Sequence, residues 1–281
     1  MARILGLGDN TVDTDVQAKR QFPGGNAVNV AVIARRAGAE TGYLGCIGND
    51  AAGRLVRDAL AAENVDISRL RTREGVNARA LIAYDDGDRR FLGSRPGVRG
   101  QYRLDATDLA YIARFDLTHS SIFSDLEAEL PRIRLAAPLM SFDFSTCWTD
   151  AVLQRVLPSI DIAVLSAPDL DDAICTRLLQ DCLRYGVKLA VATRGARGSM
   201  GVDRTDMFQQ TALPTEVVDT LGAGDGFIAG VLVAHLRHDT LPAVLRAGAE
   251  MAARVCTWRG AFGYGAPWDG EQQGIIVRER V

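Results

Sequence analysis

Val217-Val218-Asp219-Thr220-Leu221-Gly222-Ala223-Gly224-Asp225-Gly226-Phe227 is the stretch from which the fold and the chemistry are read together. A β-type doublet leads into a turn of small residues, and the apolar run beyond it predicts a helix from about Gly224 to His235. Gly222, Ala223 and Gly224 leave no bulk over the backbone, so successive N–H groups can converge on one anion at the helix N-terminus. The helix macrodipole adds about 0.3–1 kcal/mol for a negative group there. Asp225 stands at the same end, where it can accept a proton from an alcohol lying between it and a phosphate. Positioning and charge stabilisation are what phosphoryl transfer needs from a protein. An aspartate in a first helical turn is common for structural reasons alone, so the whole string carries the reading.

Outward from this string the chain repeats short apolar strand, Gly-rich turn and helix. Strands are expected at 4–7, 43–47, 139–144, 162–165 and 187–192, with helices at 27–37, 52–63 and 171–184. This alternation predicts a mostly parallel sheet covered by helices on both faces, in one α/β domain spanning 1–281. Two segments break the rhythm. Residues 78–92 read as a hairpin turning at Asp85-Asp86-Gly87-Asp88, and 11–22 is polar and extended. Segments at about 11–22 and 76–95 are therefore expected to form a small β lid inserted in the domain.

A second cluster, Pro23-Gly24-Gly25-Asn26-Ala27-Val28-Asn29, places two glycines before amide side chains one helical turn apart. Amides offer donor and acceptor together, which suits sugar hydroxyls. Asp9 and Asp13 follow the first strand, where ligands of open α/β sheets gather, and their carboxylates suit a diol. The bland alternative is an N-capping Asn26 and solvated loop aspartates. Other nucleotide sites fail: GxxxxGK[ST] is absent, and Gly6-Leu7-Gly8 has Thr11 where a dinucleotide fingerprint needs its third glycine.

Composition sets the outer bounds. The 281 residues are 47% hydrophobic and 24% charged with formal net charge -3, which gives no basic footprint for nucleic acid. No apolar run reaches the roughly 18 residues a membrane span needs. Five cysteines without a CxxC pair point to a reducing, cytoplasmic setting, and His235 and His238 read as a solvated helix end rather than a zinc site.

The motifs together resemble the ribokinase-like, or phosphofructokinase-B, family of sugar kinases, over about residues 4–262. Its first signature is visible in GGNAVNVAVIARRAGAETGYLGCIGNDAAG, with Gly45-x-x-Gly48-x-Asp50-x-x-Gly53, and its second in DTLGAGDGFIAG at 219–230. Within the family the wording GDNTVD, PGGNAVNVAV, FDFS and LSAP is most similar to fructoselysine 6-kinases, which act on Amadori products. The resemblance implies a ribokinase-like fold, ATP with magnesium, and Asp225 as catalytic base beside an anion hole at Gly222, Ala223 and Gly224. It implies sugar contacts at Asp9, Asp13, Gly25, Asn26 and Asn29. ATP would lie along Thr193, Gly195 and Gly198, with Gly222, Gly224 and Gly260 nearby. Asp219 and its neighbours match a loop that holds a monovalent cation such as potassium through backbone oxygens. Many relatives carry Asn-x-x-Glu after the strand at 162–165, serving magnesium through water. Here Ser166, Ala167, Pro168 and Asp169 align, so that role falls to Asp169.

The expected reaction is phosphorylation of the 6-hydroxyl of a fructosyl-amino acid, with Arg89, Arg90 or Arg95 of the lid meeting its carboxylate; Arg90 is taken as the substrate contact. A free ketohexose or a nucleoside is the alternative acceptor, and a non-catalytic sugar or nucleotide sensor is the alternative of another class. An exposed lid edge also invites pairing with a second copy, hence a homodimer.

Overall fold

The structure, a computed structural model, describes residues 1–270 apart from 86, 87 and 102, and apart from the side chains of 84, 85 and 88–90. Strand β1 (Arg3–Gly8) is followed by the hairpin β2 (Thr11–Asp15) and β3 (Arg20–Gly24), helix α1 (Asn26–Arg36), β4 (Glu40–Gly48), α2 (Ala51–Ala62) and β5 (Arg71–Arg73). A second hairpin, β6 (Arg79–Asp85) and β7 (Asp88–Arg95), precedes α3 (Ala106–Ile112), β8 (Leu117–Ser121), α4 (Leu130–Ala136) and β9 (Met140–Asp143). Then come α5 (Asp150–Val156), β10 (Ile162–Ser166), α6 (Asp172–Arg184), β11 (Leu189–Thr193), β12 (Ser199–Asp203) and β13 (Met207–Gln210). Helices α7 (Ala223–Leu236) and α8 (Leu241–Val255) and the short β14 (Ala266–Pro267) follow.

Nine strands form one sheet in the order β13-β12-β11-β10-β9-β8-β1-β4-β5. Its strands are parallel except for β12 and β13, which add an antiparallel margin. Alternation along the apolar strands feeds cores on both faces of the sheet, with a third cluster where β4 meets α1 and α2. Leu5 and Leu7, Ala163 and Leu165, and Ala190 and Ala192 face α3 to α6. Ile4, Ile162 and Val164, and Leu189 and Val191 face α1, α7 and α8. Both faces are covered, as continuous apolar strands require. The two segments that break the rhythm pair with each other: β2 runs parallel to β6 in a second sheet, β14-β3-β2-β6-β7.

Three differences from the sequence reading have simple causes. Val217 and Val218 form no strand; they are 58% and 50% exposed in an irregular connection whose amides bond to the Cys256 carbonyl. β8, Leu-Thr-His-Ser-Ser, was not expected because it is polar, yet every residue of it is buried. β14 adds an unpredicted margin to the smaller sheet by pairing with β3.

Helix α7 is buried on all sides from Gly226 to Ala234, as expected of a helix apolar around its whole circumference. It is sandwiched closely enough against α8 that a Cβ at Gly230 would overlap the Ala247 carbonyl, and one at Gly248 would stand 2.7 Å from the Phe227 ring. Because α7 carries Asp225 at its first turn, this packing sets the depth at which the carboxylate sits. Gly230→Ala is expected to cost about 1–3 kcal/mol of stability through overpacking. Urea unfolding checks this; an unchanged midpoint would show that α7 and α8 separate freely.

Candidate active site

Asp9 follows β1, and Asp143, Ser166 and Thr193 end β9, β10 and β11, so all four gather at the carboxyl ends of parallel strands. The chain crosses from β1 through α1 to β4 on one side, and later enters β8 on the other side. That reversal of strand order is where open α/β sheets bind ligands. A cleft of about 720 Å³ opens there, walled by the main sheet, the α7 N-terminus and the face of the smaller sheet bearing Ala80, Ile82, Phe91 and Ser94.

The α7 N-terminus is built by a left-handed glycine. Gly222 caps the helix at φ 77, and a Cβ on it would overlap Ala261, whereas a Cβ on Gly224 would meet no atom within 4 Å. The turn is thus tight beneath Gly222 and open above Gly224. The first-turn amides of a helix have no intrahelical acceptor; here the Ala223 amide closes on the Thr220 carbonyl at 3.2 Å and Ala223 stays out of the lining, while Gly224 and Asp225 line the cleft. Asp219 laces the turn together: Oδ1 accepts from the Leu221 amide at 2.9 Å and Oδ2 from the Gly260 amide at 2.9 Å. A cation in this loop would meet backbone oxygens, since the carboxylate is already bonded to amides.

Asp225 is clamped by both amides of the second cluster. The Asn26 Nδ2 donates to its Oδ1 at 2.8 Å, and the Asn29 Nδ2 to its Oδ2 at 2.6 Å. Asn26 is the first residue of α1 and Gly25 is its cap, at φ 103, with any Cβ only 2.6 Å from the Asn10 Cα. With no side chain at the cap, Asp9 supplies the missing acceptor from outside. Its Oδ2 takes the Asn26 amide at 2.7 Å and its Oδ1 the Ala27 amide at 3.3 Å. The Ser121 and Ser124 hydroxyls donate to the same Oδ1 at 2.9 and 3.0 Å. A buried anion at a helix N-terminus is well compensated.

Four polar groups that the sequence reading did not assign complete the site. Asp143 takes the second Asn26 Nδ2 proton at 2.9 Å and the Ser145 amide at 2.8 Å. Burial, and then the neighbouring Asp225 and Asp9 charges, push its carboxyl up to about 7. His119 on β8 lies within 2.8 Å of the Asn26 Oδ1, and burial pushes its ring down to about 3. Ser141 on β9 holds its other nitrogen at 3.1 Å. Arg99 lines the cleft; its Nε is buried without a hydrogen-bond partner, and it has no ion-pair partner among the described residues. An acid closing the strand in FDFS was the available signal for Asp143. A histidine within a buried polar strand offered a signal only after β8 was identified.

The cleft brings together Asp9, Asp13, Gly25, Asn26, Asn29, Thr193, Gly222, Gly224 and Asp225. Gly195 and Gly198 form the turn after β11, both at positive φ, and sit outside the lining. Gly260 lies behind the 219–222 turn. Asp169 is exposed on the turn after β10 and does not line the cleft. The side chains of Arg89 and Arg90 lie outside the described residues. Arg95 is buried, pairs across the strands with Arg79, which lines the cleft, and is itself outside the lining. No group of three or more His, Cys, Asp or Glu that could hold a metal occurs among the described residues, and none of their helices is long and apolar enough to cross a membrane.

Comparison with known proteins fits this geometry. The chain matches the model of the pfkB family carbohydrate kinases over residues 5–267. It is 38% identical over 283 residues to the fructosamine kinase FrlD of Bacillus subtilis (strain 168), covering 99% of each chain. It is 35% identical over 262 residues to the fructoselysine 6-kinase of Escherichia coli (strain K12), covering 93% of this chain and 100% of that one. Its fold matches Arabidopsis thaliana ribokinase complexed with ribose and ATP at a TM-score of 0.77 and 20% identity, over 92% of this chain and 94% of that one. With a family match running almost from end to end and near relatives aligned over their full length, the chain belongs to the pfkB family of carbohydrate kinases.

Proposed function

We propose that the protein transfers the terminal phosphoryl group of ATP to the 6-hydroxyl of a fructosyl-amino acid such as fructoselysine, with Asp225 as the general base. The observation that carries this reading is the position of Asp225. It is held at both oxygens at the first turn of α7, beside a backbone turn that is open only above Gly224. The acceptor alcohol lies against Asp225 and gives it a proton as its oxygen bonds to phosphorus. The bond from phosphorus to the ADP oxygen breaks. The amides at 222–225 stabilise the charge on the transferred group, while Thr193 and the turn at 195–198 border the nucleotide. Magnesium would enter with the nucleotide phosphates, as in other kinase sites. Asp169 would hold it through water, and the ion would supply charge neutralisation along the phosphate chain. Asp225→Asn is expected to lower kcat by about 10²–10⁴-fold with both ligands still bound. Coupled ADP release and calorimetry check this; turnover close to wild type would remove Asp225 as base.

The choice of acceptor is supported by the two fructosamine-type relatives and by Arg99. A guanidinium on a cleft wall without an ion-pair partner among the described residues suits a carboxylate, which it can meet through two parallel hydrogen bonds. Free fructose and nucleosides carry no such group. Arg99→Met should raise KM for fructoselysine by about tenfold to a hundredfold, the worth of one charge-assisted contact. KM for the fructosyl derivative of cadaverine, which lacks the carboxylate, should stay unchanged. Equal effects on the two substrates would assign Arg99 another task, and turnover of fructose or adenosine in place of fructoselysine would overturn the acceptor.

Asp143 adds a pH signature. Its folded carboxyl titrates at about 7 against an ordinary 3.8, so the folded state binds a proton that the unfolded chain has released. Wild-type stability therefore falls through this group as pH rises from about 4 to 7. In the ligand-free protein, the stability of Asp143→Asn relative to wild type should climb across that window. Urea midpoints at several pH values test this, and a constant difference would show that Asp143 is ionised throughout.

A further inference from the structure

Asn26 is the hub of the site, and its amide orientation is fixed by chemistry. Both Nδ2 protons are spent on carboxylates, Asp143 at 2.9 Å and Asp225 at 2.8 Å. The Oδ1 faces the Nε2 of His119 at 2.8 Å. A carboxamide oxygen only accepts, so Nε2 must carry the imidazole proton. The Nδ1 is then an acceptor, which the Ser141 hydroxyl satisfies at 3.1 Å. Turning the Asn26 amide over would aim its oxygen at two acids and its NH₂ at an N–H, three repulsive contacts in a buried setting. The fold brings these groups together by register: His119 pairs with Ser141 on β9 and with Gly6 on β1. A Cβ on Gly6 would overlap the Ala27 carbonyl, so only glycine lets the first turn of α1 settle there and bring Asn26 to the histidine.

We propose that His119 is a positioning residue that locks the Asn26 amide and, through it, aims the Asp225 carboxylate at the acceptor hydroxyl. The inference rests on Asp225 being the base. His119 touches neither substrate nor reacting atoms in this arrangement. Burial keeps its ring neutral, so it orients the site without adding a positive charge beside Asp225, Asp143 and Asp9. Asp225 is faced by Asn26 and Asn29 from α1 and by the Asp143 charge from β9. Losing the Asn26 donor therefore disfavours the ionised form of Asp225 and raises its pKa.

Three substitutions separate this role from packing. Gln supplies an N–H near the Nε2 position, Asn reaches only the Ser141 end, and Leu supplies no donor. His119→Leu and His119→Asn are expected to lower kcat by about tenfold to a hundredfold, the scale of a misplaced reacting group, with KM for ATP unchanged. The acid limb of their kcat/KM profile should move to higher pH. His119→Gln should restore both readouts whatever its melting temperature. If Leu prevents folding, the Gln and Asn pair still decides. Wild-type kcat and pH profile in the Asn variant, or equal defects in Gln and Asn, would overturn the positioning role. Failure of the base reading shows separately, as undiminished turnover of Asp225→Asn; an inactive Asp225→Asn beside unaffected His119 variants overturns the positioning role alone.

Discussion

Three carboxylates, Asp9, Asp143 and Asp225, converge at the ends of the central strands, and everything around them serves to make that convergence tolerable. Like charges in a shielded site repel strongly, and burying a charge is costly unless it is hydrogen-bonded. The protein answers each acid differently. Asp9 receives two amides and two hydroxyls and acts as the external cap of α1. Asp225 sits in the field of α7 with two amide donors. Asp143 also receives two donors, but burial and then the Asp225 and Asp9 charges raise its proton affinity. The Asn26 side chain bonds to two of the acids, and its backbone amide bonds to the third.

This arrangement depends on two helix N-termini meeting at one cleft. α1 begins at Asn26 and α7 at Ala223, and both helices pack on the same face of the sheet. Each starts at a glycine with positive φ in place of a side-chain cap, Gly25 and Gly222. The usual capping serine or aspartate would satisfy the first amides locally. With glycine there, the α1 amides are met by Asp9 from outside the helix, whereas at α7 the Ala223 amide closes on the Thr220 carbonyl and the turn stays open above Gly224. The apolar α7 then locks this geometry, since its depth is set by close contact with α8 at Gly230.

Much of this was legible in the sequence, where local composition and function coincide. The small residues of 222–225 announced an open helix start, which Gly222 builds at φ 77, and alternating strands and helices announced the parallel sheet. What escaped was encoded by tertiary contact. β8 was overlooked because Thr118, His119, Ser120 and Ser121 do not look like a core strand, although all four are fully buried. The amides of Asn26 and Asn29 read as sugar contacts, and their bonds to Asp225 cross 199 and 196 residues of chain, a separation no local pattern reports. The doublet Val217-Val218 misled for the opposite reason: β propensity reflects a half-buried pleated surface, and this connection offers none.

The smaller sheet completes the division of labour. Its roots are tied firmly to the main sheet. Asp50 caps α2 through the Gly53 amide at 2.8 Å and accepts the Asn77 amide at 3.1 Å, while the Asn77 Oδ1 accepts from Gly48 at 3.1 Å. Asp50 and Gly53 belong to the first family signature, so that motif secures the approach to β6. Farther out, Phe91 on its cleft face is 53% exposed. A surface fixed at its base and exposed at Phe91 can change which acceptor it admits without disturbing Asp225, whose partners Asn26 and Asn29 belong to α1. In the proposed reaction, base chemistry and acceptor choice therefore lie on separate elements that share one cleft.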